Sequence, residues 1–149
     1  MAGVKVGEVA PDFTLPDQDG RPFTLSSMRG KKFVLYFYPK DFTSGCTAEA
    51  CHFRDAYEDF TDAEAEVIGV SGDSIESHVK FREAYKLPFT LLSDEKGEAR
   101  KLYGISGRLL PERTTFVIDK EGVVRLVFSS RINMKAHMEE ALKIIRSLG

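Results

Sequence analysis

Two cysteines, Cys46 and Cys51, stand five positions apart in a chain that has no others. Downstream of Cys46, apolar residues recur at helical spacing (Ala50, Phe53, Tyr57 and Phe60), while Arg54, Asp55, Glu58 and Asp59 fall on other faces. The spacing predicts a helix that begins near Cys46 after the turn-forming residues 39–45. Cys46 then occupies a first helical turn, where N–H groups lack carbonyl partners and the helix dipole favours an anion. Thiolate is the nucleophilic form of cysteine, so this placement is chemically useful. The dipole supplies ~0.3–1 kcal/mol, and about 2 at most, which only half-activates a sulfur. A cation nearby is required, and spacing alone does not say which. The competing reading is a buried thiol that serves only packing.

Other chemistries are open to the same residues. His52, His78 and His137 could join the cysteines in a copper or zinc site on a metallochaperone. Against this, Cys-x4-Cys is not a zinc-knuckle spacing, and His52 abuts Cys51 without a useful helical offset. His78 and His137 fall in predicted helices, and all three histidines read as surface or half-buried residues. No metal and no cofactor is therefore expected. A dithiol exchanger would carry Cys-x-x-Cys at the helix start, which is absent. A scaffold with inert cysteines is the third alternative.

The elements that must position Cys46 follow from periodicity. Residues 12–15 and 22–25 read as a hairpin around the turn-rich 16–20, an N-terminal extension. The continuous apolar run 33–38 is too short for a typical helix and rich in β-formers, as in a strand covered on both faces. After the Cys46 helix come a strand at 66–71, a helix at 74–86 capped by Ser74 and ended by Pro88, and a short strand at 90–92. A short helix at 96–103 precedes a hairpin, 114–119 with 123–128. Met134, Met138, Leu142, Ile145 and Leu148 form the stripe of a final helix that packs on the sheet. This alternation describes an α/β fold with a mostly parallel or mixed sheet flanked by helices. Residues 104–113 are the long irregular stretch, in which Leu109, Leu110 and Pro111 either fold back onto the core or meet a partner.

Composition sets the outer limits. The 149 residues fit one domain, 1–149, large enough to bury roughly 68–70% of its unfolded surface. With 21 basic and 23 acidic residues the net charge is −2, and no basic stripe points to nucleic acid. No stretch approaches the ~18 apolar residues of a membrane span, and residues 1–8 lack a secretory apolar run. A soluble cytoplasmic protein is the expectation, or a plastid one after removal of a transit peptide. Two cysteines are too few for a disulfide scaffold, so their reactivity matters more than their stapling.

The surroundings of Cys46 are more specific. Pro39, Thr43 and Cys46 stand in the Pro-x-x-x-Thr-x-x-Cys order of the peroxiredoxins, and the run 36–51 resembles their Q-type group, the bacterioferritin comigratory proteins. Similarity continues through 53–55, 68–71, 88–94 and 113–119, so it spans nearly the whole chain. The resemblance implies a thioredoxin-like fold and a thiol peroxidase with Cys46 as peroxidatic cysteine and Cys51 as resolving cysteine. It also implies that Thr43 orients the peroxide, Pro39 shields the thiolate, and Arg113 supplies the missing cation with Glu49 holding it. On sequence alone Arg113 is a solvated loop charge, and Glu49 an acidic residue complementing the dipole. Phe42 and Ser44 depart from the group, where a polar residue and proline are usual. The implied partners are a hydroperoxide and thioredoxin or a similar dithiol, and the implied state is a monomer or weak dimer.

Peroxide reduction explains why these residue types suit one another. Full ionisation of a thiol that is a few per cent thiolate at neutral pH gains only ~30-fold, and nucleophilicity falls as acidity rises. Most of the acceleration must come from transition-state contacts at the two peroxide oxygens: Thr43, Arg113 and the N–H groups of Gly45 and Cys46. Positions five apart on a straight helix are separated by about 8.6 Å between Cα atoms, whereas a disulfide tolerates roughly 4.4–6.8 Å. Joining Cys46 to Cys51 therefore requires part of residues 43–52 to unwind.

Overall fold

The computed structural model describes residues 4–105 and 112–148. Its centre is the strand β3 (Lys32–Phe37), buried along its whole length. Alternate side chains of β3 feed two cores, as the two-residue period of a strand requires. Phe33, Leu35 and Phe37 join one cluster with Phe13, Leu15, Tyr103 and Phe116. Val34 and Tyr36 join the other with Phe53, Phe60, Phe81 and Ile145.

The strands β4 (Ala65–Ser71) and β5 (Thr90–Ser93) lie parallel on one side of β3. On the other side β6 (Thr114–Ile118) runs antiparallel to β3 and β7 (Val124–Ser129) antiparallel to β6, giving the order β5-β4-β3-β6-β7 among the described residues. The sheet is mixed, as expected. The register pairs Phe37, at the end of β3, with Thr114, at the start of β6. Antiparallel pairing thus brings the residue before β6 to the point where the chain leaves β3 for its first helix.

The helices are α1 (Ser44–Asp55), α2 (Tyr57–Asp62), α3 (Ile75–Tyr85), α4 (Glu98–Leu102) and α5 (Met134–Ser147). The helix expected to run from Cys46 through Phe60 is divided at Ala56, whose φ of −95° and ψ of 4° leave the helical range. The division still lets Phe60 rejoin Phe53, with ring centroids 5.9 Å apart. Ser74 caps α3 as expected, its side chain accepting from Ser77 N–H. The helix ends before Pro88: Lys86 turns left-handed (φ 52°), and Leu87 N–H closes on the Arg82 carbonyl.

Three expectations need correction. The stripe on α5 is only partly apolar: its buried residues are His137, Ala141, Leu142 and Ile145, while Met134, Met138 and Leu148 are half-buried. A reading by hydrophobicity cannot detect a histidine whose polar atoms are satisfied inside. For the same reason His78 and His137 are fully buried rather than surface groups, whereas His52 is half-buried. The N-terminal hairpin, β1 (Thr14–Pro16) with β2 (Pro22–Thr24), is present but is more than an appendage. Leu15 enters the core, Asp17 bridges to Leu92, and the Gln18 side chain accepts from Leu91 N–H, so the hairpin covers the β5 edge. Leu109, Leu110 and Pro111 lie outside the described residues.

Candidate active site

Thr43 is the N-cap of α1, with extended backbone (φ −76°, ψ 153°), yet its side chain does not cap the helix. Its hydroxyl donates to the Lys40 carbonyl at 2.9 Å. The first intrahelical bond runs from Thr47 N–H to the Thr43 carbonyl. The N–H groups of Ser44, Gly45 and Cys46 therefore stand before the first intrahelical bond, at the mouth of the helix that carries the sulfur. Cys46 is 1% exposed, so it combines burial with a polar setting.

Arg113 arrives here because of the β3–β6 register. One terminal nitrogen, Nη2, donates to Cys46 Sγ at 3.1 Å, and Nη1 donates to Glu49 Oε1 at 2.7 Å. The guanidinium is 8% exposed and Glu49 is fully buried. Burial opposes the charge on Arg113, but Glu49 and Cys46 outweigh it and hold the group above its ordinary value. Glu49 goes the other way: burial, only partly offset by Arg113, pushes its carboxyl up to about 8. Gly45 makes the approach possible, since a Cβ there would meet Arg113 Nη2 at 3.1 Å. Pro39, exposed, lines an open pocket with Glu112, Arg113 and Arg131.

Cys51 lies on the same unbroken helix, half-exposed, and both thiols are free. The structure thus brings Cys46, Glu49 and Arg113 into direct contact, sets Thr43 and Gly45 at the helix mouth and Pro39 on the rim, and keeps Cys51 apart. Among the described residues no group of three or more His, Cys, Asp and Glu side chains is arranged to hold a metal ion.

Sequence reasoning missed a buried network that holds the segment between β3 and α1. Asp41 accepts from Tyr38 Oη (2.6 Å) and Ser77 Oγ (2.9 Å), and its Oδ2 lies 2.7 Å from His78 Nδ1. His78 Nε2 donates to the Leu92 carbonyl, and Asp41 N–H donates to Asp73 Oδ2 at 2.8 Å. These bonds tie the loop to β5 and α3 and fix the entry of α1. Phe42 between them is left-handed (φ 67°), which is costly for a bulky residue, and its ring packs edge-on against Phe81. Also missed were His137 and Thr115, joined behind Glu49 by a 2.8 Å bond between Thr115 Oγ1 and His137 Nδ1. The single hint was a histidine beside the apolar stripe of α5.

A mixed thioredoxin-like sheet, with a buried thiol in the first turn of the following helix and a guanidinium on its sulfur, defines a peroxiredoxin-class thiol peroxidase. The chain belongs to the AhpC/TSA family, which matches residues 6–127. Its relatives there are Q-type peroxiredoxins. The chloroplastic peroxiredoxin Q of Sedum lineare is 53% identical over 151 residues, covering 99% of this chain and 81% of that protein. The chloroplastic peroxiredoxin Q of Arabidopsis thaliana is 52% identical, covering 99% of this chain and 69% of that protein. Among solved structures, peroxidoxin BcpB of Mycobacterium tuberculosis superposes with a TM-score of 0.89 at 41% identity, covering 98% of this chain and 99% of that one. Peroxiredoxin Q of Xanthomonas campestris gives a TM-score of 0.84 at 28% identity, covering 98% and 97%.

Proposed function

We propose that Cys46 attacks hydrogen peroxide or an organic hydroperoxide as a thiolate and that Cys51 then closes a transient intrachain disulfide with it. The observation that carries this reading is the Arg113 guanidinium 3.1 Å from Cys46 Sγ in the first turn of α1. A sulfur–oxygen bond forms as the oxygen–oxygen bond breaks. Sulfur gives up two electrons, and the leaving oxygen takes the bonding pair and a proton to depart as water or an alcohol. Arg113 and the N–H groups of Gly45 and Cys46 stabilise the charge as it moves toward that oxygen. The Thr43 proton is engaged by Lys40, so its oxygen meets the peroxide as an acceptor and orients it. Pro39 walls the entrance, and Glu49 holds the guanidinium in place.

The Cys46 sulfenic acid condenses with the Cys51 thiol, releasing water. Because both residues lie on α1, this step requires local unwinding, and the resulting disulfide is open to reduction by thioredoxin or a similar dithiol. All of these groups sit in one domain that acts as a monomer, in a compartment that keeps thiols reduced, whether cytoplasm or plastid. No cofactor, nucleic acid or membrane enters the scheme, and no helix among the described residues is long and apolar enough to cross a membrane.

The test is a coupled assay that follows NADPH oxidation with thioredoxin, thioredoxin reductase and peroxide. Cys46→Ser is expected to abolish peroxide consumption. Cys51→Ser is expected to consume about one equivalent and then turn over poorly. Retained turnover in Cys46→Ser would overturn the assignment.

A further inference from the structure

Glu49 reaches Arg113 through Oε1 alone. Its Oε2 is buried without a hydrogen-bond partner among the described residues and lies 3.4 Å from Nδ1 of His137, which is also fully buried. Leaving a buried charged oxygen unpaired is costly. The other contacts of His137 fix what it offers Glu49. Nε2 is 2.8 Å from the Ser130 carbonyl, which can only accept, so Nε2 carries a proton. In the neutral ring Nδ1 then presents a single lone pair, with Thr115 Oγ1 at 2.8 Å and Glu49 Oε2 at 3.4 Å as the oxygens whose protons it can accept. Phe128 packs edge-on against the ring at 5.0 Å and holds its plane. An ionised Oε2 would face that lone pair across 3.4 Å, too close for a water to lie between them.

Charge counting leads to the same place. With Arg113 positive, Cys46 a thiolate and Glu49 neutral, the buried group sums to zero. With Glu49 also ionised it carries a net negative charge away from solvent, which is expensive. The titratable groups facing Glu49 are Cys46 on its own helix, Arg113 before β6, Tyr36 on β3 and His137 on α5. Burial, then Glu49 and Cys46, hold Tyr36 well above its ordinary value, so it stays neutral.

We propose that in the reduced enzyme Glu49 carries a proton on Oε2, directed at His137 Nδ1, and that His137 is the positioning residue that keeps it there. The charge of Arg113 is thereby directed to the sulfur. When the sulfur carries no charge, Glu49 becomes the anion that Arg113 pairs with. Burial lifts Glu49 to about 8, while burial and the positive charge of Arg113 lower His137 despite its bond to Ser130, which agrees with this placement of the proton. The inference rests on the thiolate role assigned to Cys46.

Infrared spectroscopy of the reduced protein across pH, with nitrogen NMR of the imidazoles, tests it without relying on turnover. At pH 7 the wild type should show a protonated-carboxyl C=O band that is missing in Glu49→Gln, and His137 should be neutral with its proton on Nε2. In Cys46→Ser, which removes the anion and keeps the shape, the pH at which the band vanishes should fall by about one unit or more, a tenfold or larger gain in acidity. In His137→Leu the band should move to higher frequency, as for a carboxylic acid whose hydroxyl has lost its acceptor. An absent band in wild type, a protonated His137 ring at pH 7, an unmoved titration in Cys46→Ser or an unmoved band in His137→Leu would each overturn it. Peroxide consumption in the same samples reports the sulfur chemistry separately. Lost activity in Cys46→Ser with an unmoved titration sinks only the proton assignment, whereas retained turnover sinks the reading of the sulfur itself.

Discussion

Arg113 has two acceptors and one charge. Its fork places one nitrogen on Cys46 and the other on Glu49, and the planar geometry lets both bonds form without distortion. A lysine offers a single point charge on a flexible stem and cannot hold both. Arg113→Ala is expected to slow the first reaction with peroxide on the order of 10²-fold or more, the usual cost of losing one preorganised donor. Arg113→Lys should recover part of that loss but not the Glu49 contact. Stopped-flow measurement of the oxidation phase in a Cys51→Ser background checks both, and equal rates for all three would remove Arg113 from the chemistry. At position 45 any side chain crowds the guanidinium, so Gly45→Ala should likewise slow this phase while α1 persists by circular dichroism.

At the scale of the element, α1 serves two opposed needs. In the proposed mechanism it must be formed to hold Cys46 in its first turn, and it must open to let Cys51 reach the oxidised sulfur. Its first residue, Ser44, leaves that opening easy, because nothing fixes its backbone and the Thr43 side chain makes no cap. Thr43 is already extended, the conformation that a following proline demands. Ser44→Pro should therefore fit the first helical position and stabilise the folded form by about 0.4–1 kcal/mol. The expected result is slower disulfide closure and more sulfinic acid at high peroxide, read by mass spectrometry. Amide exchange in residues 44–52 should rise on oxidation of the wild type and rise less in the variant. Unchanged closure would mean that opening of this turn does not limit resolution.

For the whole molecule, the buried charges behind the sulfur make stability depend on pH. Glu49 has its ordinary value of 4.5 when unfolded and about 8 in the native state. Between these limits the native protein holds a proton that the unfolded chain releases, so stability falls as pH rises through the window, by up to ~1.4 kcal/mol per pH unit. His137 acts in the opposite sense: burial lowers its native value below 6.5, so below that pH the unfolded chain binds the extra proton and stability falls on acidification. Urea unfolding at pH 5, 7 and 8 should show Glu49→Gln gaining on the wild type as pH rises. Parallel curves would mean that Glu49 is not held protonated.

Much of this architecture is legible along the chain because it depends on neighbours in sequence. The doubly covered strand β3, the helix start at Cys46, the Ser74 cap and the order of Pro39, Thr43 and Cys46 are local facts, written in periodicity and turn chemistry. The break at Ala56 escaped because one continuous apolar spacing fits two short helices as well as one long one. Nothing local joins Arg113 to Cys46 across 67 residues. Only the resemblance to peroxiredoxins anticipated that contact, and the antiparallel register of β6 on β3 creates it. His137 and Thr115 escaped entirely, since a histidine on a helix carries no sign of whether its partners await it in the core. What the residues determine by themselves is which sulfur stands at a helix mouth. Which charges face that sulfur is decided by sheet pairing and helix packing, because the energy of a buried charge depends on every group that surrounds it.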